Sequence, residues 1–225
     1  MKFLKQFFKK QIVCVENEWE SHVENIFRLL GSNIKAYSPK NMLDVGCGDG
    51  SRTLRLAEYF NIDKKNLYGL DYDQNLINLC KLHFHSLQVN LEVDPIPFKQ
   101  GVFDLVICNQ VLEHLKNYQN SINNMIRVTK IGGYIVLGIP NLAHLINRIY
   151  LFFGRQPMCI NIDSSHVRGF THKSFALKLS AFKDVKLIDF KGSLMYPLPF
   201  FLGSILSKYF IGLSGYVCYL LKKLN

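Results

Sequence analysis

The chain has 225 residues, 48% of them hydrophobic, which is enough for one substantial core and argues against a disordered chain. Its formal charge of +10 favours anionic partners such as nucleic acid, phosphorylated small molecules or lipid headgroups, without choosing among them. The six cysteines are scattered singly, without a CxxC pair or clustered histidines, so the sequence predicts reduced thiols in a cytoplasmic protein and no metal site.

The first 35 residues are predicted to form a helical segment ahead of the main domain. Phe3, Leu4, Phe7 and Phe8 fall at helical spacing with lysines between them, which is typical of a basic amphipathic helix. Such a helix can lie on a membrane surface or pack on the core, and the sequence leaves both open. A second helix is predicted over 16–30, and no secretory signal is expected.

From residue 36 to 192 the pattern alternates between short apolar runs and amphipathic stretches. Strands alternating with helices at this spacing are typical of an α/β domain with a largely parallel sheet. Strands are predicted over 42–45, 67–70, 87–91, 103–108, 134–139 and 185–190, and helices over 51–60, 74–82, 117–130, 142–153 and 172–182.

Residues 193–225 form an apolar tail that prolines and glycines interrupt. None of its apolar runs approaches the roughly 20 residues needed to span a bilayer. We therefore expect a helical tail that packs on the core or contacts a membrane.

A glycine-rich loop joins the first predicted strand to the first predicted helix, at Gly46, Gly48 and Gly50. In parallel sheets this turn is where nucleotide-like ligands bind, because helix N–H groups point outwards there. A dinucleotide fingerprint, G-x-G-x-x-G, would need a third glycine where this chain has Ser51.

Two carboxylates distinguish between NAD and a ligand made of adenosine and an amino acid. Asp44, at the end of the first strand, suits a ligand with an ammonium group, whereas it would not help to bind a pyrophosphate. Asp71, at the end of the second strand, is placed to accept hydrogen bonds from both ribose hydroxyls. A ligand made of adenosine and an amino acid therefore fits this pair better than NAD.

These segments, taken together and in order, resemble the motifs of class I S-adenosylmethionine-dependent methyltransferases. The matching segments are Leu43–Gly50, Gly69–Asp71, Val89–Glu92 with Ile96–Phe98, Gly101–Val106, Val111–Leu115 and Gly132–Leu137. The resemblance implies a Rossmann-like fold with a seven-stranded, mostly parallel sheet flanked by helices. It also implies S-adenosylmethionine as cofactor and S-adenosylhomocysteine as product.

The resemblance implies the residues that bind the cofactor. They are Asp44, Gly46, Cys47, Gly48, Gly50, Asp71, Tyr72, Asn90, Leu91, Asn109 and Gln110. Asn90 departs from the family, which usually has an aspartate facing the adenine amino group. An amide oxygen can still accept that hydrogen bond, and Glu92 or Asp94 is the alternative contact.

Methyl transfer from a sulfonium needs alignment and, for some acceptors, removal of a proton. His114 is the candidate base and an acceptor contact, and its alternative interpretation is a structural histidine. His166, Arg168 and His172 belong to a loop that is predicted to bind the acceptor or to be merely solvated. Thr171 is a candidate cap for the helix that follows.

The predicted acceptor is a small molecule, including lipid- or sugar-linked ones, methylated on oxygen, nitrogen or carbon. The segments around residues 140–171 resemble small bacterial methyltransferases of surface-polysaccharide and quinone pathways. The basic surface also allows a nucleic-acid methyltransferase, although no Asn/Asp-Pro-Pro-aromatic motif follows the fourth strand. A non-catalytic or NAD-binding Rossmann protein is the third possibility, and the oligomeric state stays open.

Overall fold

The computed structural model describes residues 26–27, 29–31, 33, 37–195 and 198–225. The amphipathic helix predicted over residues 1–10 lies outside the described residues, so its membrane contact stays a prediction. Of the second predicted helix, residues 26, 27, 29 and 30 are described and helical, and Ile26, Leu29 and Leu30 are fully buried.

The described elements follow the α/β alternation that the sequence predicts. The strands are β1 (Met42–Val45), β2 (Leu67–Asp71), β3 (His85–Gln88), β4 (Phe103–Asn109), β5 (Thr129–Pro140), β6 (Val185–Ser193) and β7 (Tyr216–Lys223). The helices are α1 (Ser51–Tyr59), α2 (Gln74–Cys80), α3 (Tyr118–Val128), α4 (Leu145–Phe152), α5 (His172–Ser180) and α6 (Phe200–Leu206). Short 3₁₀ turns cover Lys64–Asn66, Leu112–His114 and Ile211–Leu213.

The seven strands form one sheet in the order β3-β2-β1-β4-β5-β7-β6. The five strands β3, β2, β1, β4 and β5 run parallel to one another, whereas β7 runs antiparallel to both β5 and β6. This arrangement confirms the predicted seven-stranded, mostly parallel Rossmann-like sheet. It also brings the carboxyl ends of β1, β2 and β4 to one edge, where the loops that follow them meet.

Both faces of the sheet are covered. Leu43 and Val106 point into one apolar cluster, and Met42 and Leu105 point into the other, because successive side chains of a strand alternate between faces. Strands covered on both faces read as continuous apolar runs rather than as alternating ones. That is why β1 and β4 are recognisable from the sequence.

The C-terminal tail differs from the prediction of a helical segment. Residues 216–223 form β7, which lies between β5 and β6, and only α6 and a 3₁₀ turn are helical in the described part of the tail. Lys223 Nζ is buried against the sheet and donates to the carbonyl of Thr129 at 2.8 Å. The prediction was wrong because a short apolar run has the same hydropathy in a buried strand as in a buried helix.

A smaller difference concerns the third strand, which spans 85–88 instead of 87–91. It is an edge strand, and its alternating burial is weak, with Ser86 its one buried residue.

None of the helices in the described part of the chain is long and apolar enough to cross a bilayer.

Candidate active site

The loop after β1 adopts a backbone that requires glycine. Gly46, Gly48 and Gly50 have φ values of +78°, +58° and +80°, a region that side chains disfavour. A Cβ at Gly46 would lie 2.1 Å from Cγ2 of Val111, so this position also has no room for a side chain. The loop is fastened to β2, because the amides of Gly46 and Cys47 donate to the Leu70 carbonyl at 2.7 and 2.9 Å.

Asp71 ends β2 with its carboxylate held in place by two backbone amides. Its Oδ2 accepts from the Gly48 amide at 2.9 Å, and its Oδ1 accepts from the Asp73 amide at 3.0 Å. Each carboxylate oxygen can accept a further hydrogen bond, and the side chain is only partly buried. The carboxylate is therefore oriented before any ligand arrives.

A cleft of about 590 Å³ opens beside this carboxylate, at the carboxyl edge of the sheet. Seven of the predicted site residues line it, namely Gly46, Asp71, Tyr72, Asn90, Leu91, Gln110 and His114. The other lining residues are Leu70, Val89, Glu92, Val111, Leu115 and Ser165. Most of these lie inside segments that carried the family resemblance, whereas Ser165 belongs to a distant loop and has no signal in the sequence.

Asp44 does not face the cleft, which corrects the prediction that it meets a ligand's ammonium group. Its side chain is fully buried, accepts from Arg52 Nη2 at 3.0 Å, and accepts from Thr53 Oγ1 at 2.6 Å. Arg52 Nη2 also donates to the Gly46 carbonyl at 2.9 Å. Asp44 thus fixes Arg52, and Arg52 fixes the loop, since the first turn of α1 brings both partners back to the end of β1.

Four other predicted cofactor residues also lie behind the cleft rather than along it. Cys47 is buried with its Sγ 4.0 Å from that of Cys80, and burial raises the pKa of its thiol above the usual range. Gly48 supplies the amide that holds Asp71, and a Cβ at Gly50 would lie 2.8 Å from the Phe84 ring. Asn109 is buried, and its Oδ1 accepts from the Tyr216 hydroxyl.

Gln110 and Asn90 face the cleft in different ways. Gln110 has a left-handed backbone with φ of +57°, and its buried Nε2 has no hydrogen-bond partner among the described residues. Asn90 uses its Oδ1 to accept from the Glu92 amide at 3.1 Å. Of the two alternatives to Asn90, Glu92 lines the cleft, whereas the lining does not include Asp94.

His114 lies at the cleft, next to Glu113 and to His166 from the loop between α4 and α5. The two imidazole rings have centroids 4.7 Å apart. Glu113 is fully buried, neither of its carboxylate oxygens has a hydrogen-bond partner among the described residues, and burial raises its pKa to about 8. Burial also lowers the pKa of His114.

The remaining predicted acceptor residues do not form one cluster. Arg168 is held by backbone carbonyls, since its Nε donates to those of Leu115 and Lys116 at 3.1 Å. His172 lies on the sheet instead, with its Nδ1 3.0 Å from the Tyr219 hydroxyl of β7. The structure separates it from His166 because α5 begins there, with Thr171 as the predicted cap that accepts from the Ser174 amide.

The comparisons with known proteins agree with this geometry. Residues 43–137 match a family model described as a methyltransferase domain. The chain is 32% identical to norajmaline N-methyltransferase of Rauvolfia serpentina over 44% of its own length and 35% of the relative's. It is 25% identical to a ubiquinone biosynthesis O-methyltransferase of Coxiella burnetii, over 71% of this chain and 69% of the relative.

Solved structures agree on the fold. The N-methyltransferase NodS of Bradyrhizobium japonicum, crystallised with S-adenosylhomocysteine, superposes with a TM-score of 0.59 at 18% identity, covering 92% of this chain and 88% of NodS. The chain spans only about a third to a half of the length of the first curated relatives that it matches. The matched segment nevertheless contains the glycine loop, Asp71 and His114. Residues 43–137 are therefore similar to methyltransferase domains, and the chain shares its fold with the S-adenosylhomocysteine-bound N-methyltransferase NodS.

Proposed function

We propose that this protein transfers the methyl group of S-adenosylmethionine to an oxygen, nitrogen or carbon atom of a small-molecule acceptor. The observation that carries the proposal is the Asp71 carboxylate, held by the Gly48 and Asp73 amides at the mouth of the cleft. A carboxylate with free lone pairs at the end of β2 suits the two hydroxyls of a ribose. Gly46 lines the same cleft without a side chain, so its backbone is open to the same ligand.

The chain's own residues bind and orient in this scheme, while S-adenosylmethionine supplies an activated methyl group. Asp71 would hold the ribose, and Tyr72, Asn90 and Leu91 would surround the adenine on the side of β2 and β3. Gln110, with its unpartnered Nε2, would face the amino-acid part or the acceptor. Asp44 would contribute through Arg52 and the loop rather than by contact.

The acceptor is proposed to enter on the side of the cleft that His114 and Ser165 line. This placement supports an acceptor-side role for His114. The relatives are named for methyl transfer to nitrogen and to oxygen, so they support a small-molecule acceptor without choosing the atom.

A lipid-linked acceptor is supported by an exposed apolar surface at the end of α4, defined here as Leu151, Phe152 and Phe153. Phe152 is 83% exposed and Phe153 71%, and the neighbouring Arg155 is exposed as well. Aromatic side chains beside a cation are typical of segments that lie on anionic membranes. The proposed peripheral membrane contact uses this surface, in addition to the N-terminal segment predicted from the sequence.

Calorimetry with purified protein tests the cofactor. We expect S-adenosylhomocysteine to bind with a stoichiometry of one and NAD to show no binding. Binding of NAD in preference to S-adenosylhomocysteine would contradict the proposal and favour a dinucleotide-binding protein.

Transfer of labelled methyl into a lipid extract, a small-molecule extract or RNA then identifies the acceptor class. Nucleic-acid affinity that persists above moderate salt would favour the nucleic-acid alternative.

Co-sedimentation with vesicles tests the membrane contact. Wild-type protein is expected to bind vesicles that contain an anionic lipid, and the double variant F152S/F153S to bind them several-fold more weakly. Deletion of residues 1–10 tests the N-terminal segment in the same assay. If neither change weakens binding, the proposed membrane contact is wrong.

A further inference from the structure

Three side chains with metal-binding atoms converge beside the cleft. Glu113, His114 and His166 each offer one such atom, and all three atoms lie within 4.8 Å of one another. Glu113 and His114 come from the turn after β4, whereas His166 comes from the loop between α4 and α5. This loop is anchored there, because the Val167 and Arg168 amides donate to the Glu113 carbonyl at 2.9 and 3.1 Å.

The hydrogen bonds of the two histidines prepare them as ligands. His114 Nδ1 lies 3.3 Å from the Ser165 carbonyl, and His166 Nδ1 lies 2.6 Å from the Cys159 carbonyl. A carbonyl oxygen only accepts, so the hydrogen of each neutral ring is on Nδ1 and the lone pair is on Nε2. A ring N–H donated to a backbone carbonyl is the usual support of a metal-binding histidine, since it fixes the tautomer and the ring orientation.

Glu113 provides an independent sign that a ligand is missing from the hydrogen-bond network. Its side chain is fully buried, yet neither carboxylate oxygen has a hydrogen-bond partner among the described residues. A buried carboxylate is stable only when it is paired, protonated or bound to a metal ion. No Lys or Arg in the described part of the chain forms a salt bridge with it.

We propose that Glu113, His114 and His166 bind one divalent transition-metal ion of the zinc class at the acceptor side of the cleft. Two imidazoles and one carboxylate are a donor set for Zn²⁺, Co²⁺ or Fe²⁺, whereas Mg²⁺ and Ca²⁺ prefer oxygen ligands. The sequence alone does not reveal this site, because His166 comes close to Glu113 and His114 only in the folded chain.

Three protein ligands leave a coordination position open, as in catalytic zinc sites. On the cleft side that position would take an oxygen atom of the acceptor, and the ion would lower the pKa of a bound hydroxyl. This role rests on the proposed methyl transfer, but binding of the ion does not. His114 then acts as a ligand of the ion and not as the base itself.

Metal binding is measured on full-length protein that has been stripped with a chelator and titrated with ZnCl₂ or CoCl₂. We expect one ion per chain, and for Co²⁺ a visible absorption band of low-symmetry coordination. The variants Glu113→Gln and His166→Asn are each expected to weaken Zn²⁺ binding by at least about 100-fold, judged from the 10–100-fold that even supporting residues are worth. The control His83→Asn, an exposed histidine outside the cluster, should bind like wild type.

Binding of S-adenosylhomocysteine and the circular dichroism spectrum check that the variants fold. Because Glu113 is buried, His166→Asn keeps the test decisive if Glu113→Gln fails to fold. Absence of a stoichiometric ion, or wild-type affinity in a folded His166→Asn protein, would overturn the proposal. One bound ion in a protein that transfers no methyl group would leave the metal site standing and would refute the proposed function instead.

Discussion

The proposed cofactor side and the proposed acceptor side of the cleft differ in how their polar groups are satisfied. On the cofactor side, Asp71 is held by two amides, and Asp44 is paired with Arg52 and Thr53. On the proposed acceptor side, both carboxylate oxygens of Glu113 are buried without a partner among the described residues.

This difference indicates that the two sides of the cleft bind their ligands in different ways. A site whose groups are already oriented binds one invariant ligand with little reorganisation. Buried polar atoms without partners are costly, and they persist where a ligand, an ion or a proton completes them. The carboxylates Asp71 and Asp44 therefore find their partners within the chain, whereas the Glu113 carboxylate depends on what binds beside it.

The largest expected effect comes from filling the space at Gly46. Gly46→Ala should cost about 3 kcal/mol of unfolding free energy, because it combines overpacking against Val111 with left-handed strain, and it should abolish binding of S-adenosylhomocysteine. Urea unfolding and calorimetry measure the two effects. Gly101→Ala is the matched control, since its φ is +67° but no atom lies within 4 Å, so it should keep full binding.

Removing the charge of Asp71 tests whether the oriented carboxylate matters. Asp71→Asn should weaken binding of S-adenosylhomocysteine by about 10- to 100-fold, or about 1.4–2.7 kcal/mol, because an amide loses both the charge and one acceptor. The exposed Asp63 provides the control, as Asp63→Asn should leave the affinity unchanged. Equal affinities for Asp71→Asn and wild type would show that the charge of Asp71 does not contribute to binding.

A pH effect is expected away from the residues that line the cleft, at His144, which precedes α4. Burial lowers its pKa to about 4, and its Nδ1 has no partner among the described residues. The unfolded chain, with an ordinary histidine pKa near 6.5, binds the proton more readily, so stability falls as the pH drops from about 6.5 to 4. Between pH 7 and pH 5 the loss from this group should be about 2 kcal/mol.

Urea unfolding at the two pH values measures this loss. Other histidines add to the pH dependence of both proteins, so the informative quantity is the difference between wild type and His144→Leu. The variant should lose about 2 kcal/mol less on acidification. An identical loss in both proteins would show that His144 is not buried in its neutral form.

The smallest expected effect separates backbone strain from ligand contact. Gln110 and Asn61 both have left-handed backbones, with φ of +57° and +53°. Glycine at either position should raise the unfolding free energy by about 0.5–1 kcal/mol, because the strain disappears. Only Gln110→Gly should weaken ligand binding, since Asn61 is not among the residues that line the cleft. If both variants bind equally well, the Gln110 side chain has no ligand role.

Much of the cofactor side was predictable because its determinants are local. The order of strand, glycine loop and helix fixes Gly46, and the end of the next strand fixes Asp71. The role of Asp44 was predicted incorrectly, because no rule of spacing says that Arg52 turns back towards the strand instead of towards solvent. Cys47 and Asn109 were misplaced for a similar reason: they belong to the right segments, but their side chains point into the core.

The acceptor side was less predictable. His114 was found from a motif, but its neighbours Glu113 and His166 form a cluster only after the loop between α4 and α5 folds back onto the turn that follows β4. His172 was predicted to contact the acceptor from the same loop as His166, and the start of α5 places it against Tyr219 instead. Contacts between segments that are this far apart in the sequence leave no periodic pattern in the chain.

The sequence by itself determined the α/β class, the glycine loop and the position of Asp71 at the end of β2, because each depends on residues that are neighbours in the chain or in successive strands. Only the tertiary structure decided that the apolar end of the chain is the strand β7 inside the sheet. It also decided that Asp44 is buried and that Glu113 meets two histidines. These outcomes depend on contacts between distant segments, whose packing a local pattern of polar and apolar residues does not specify.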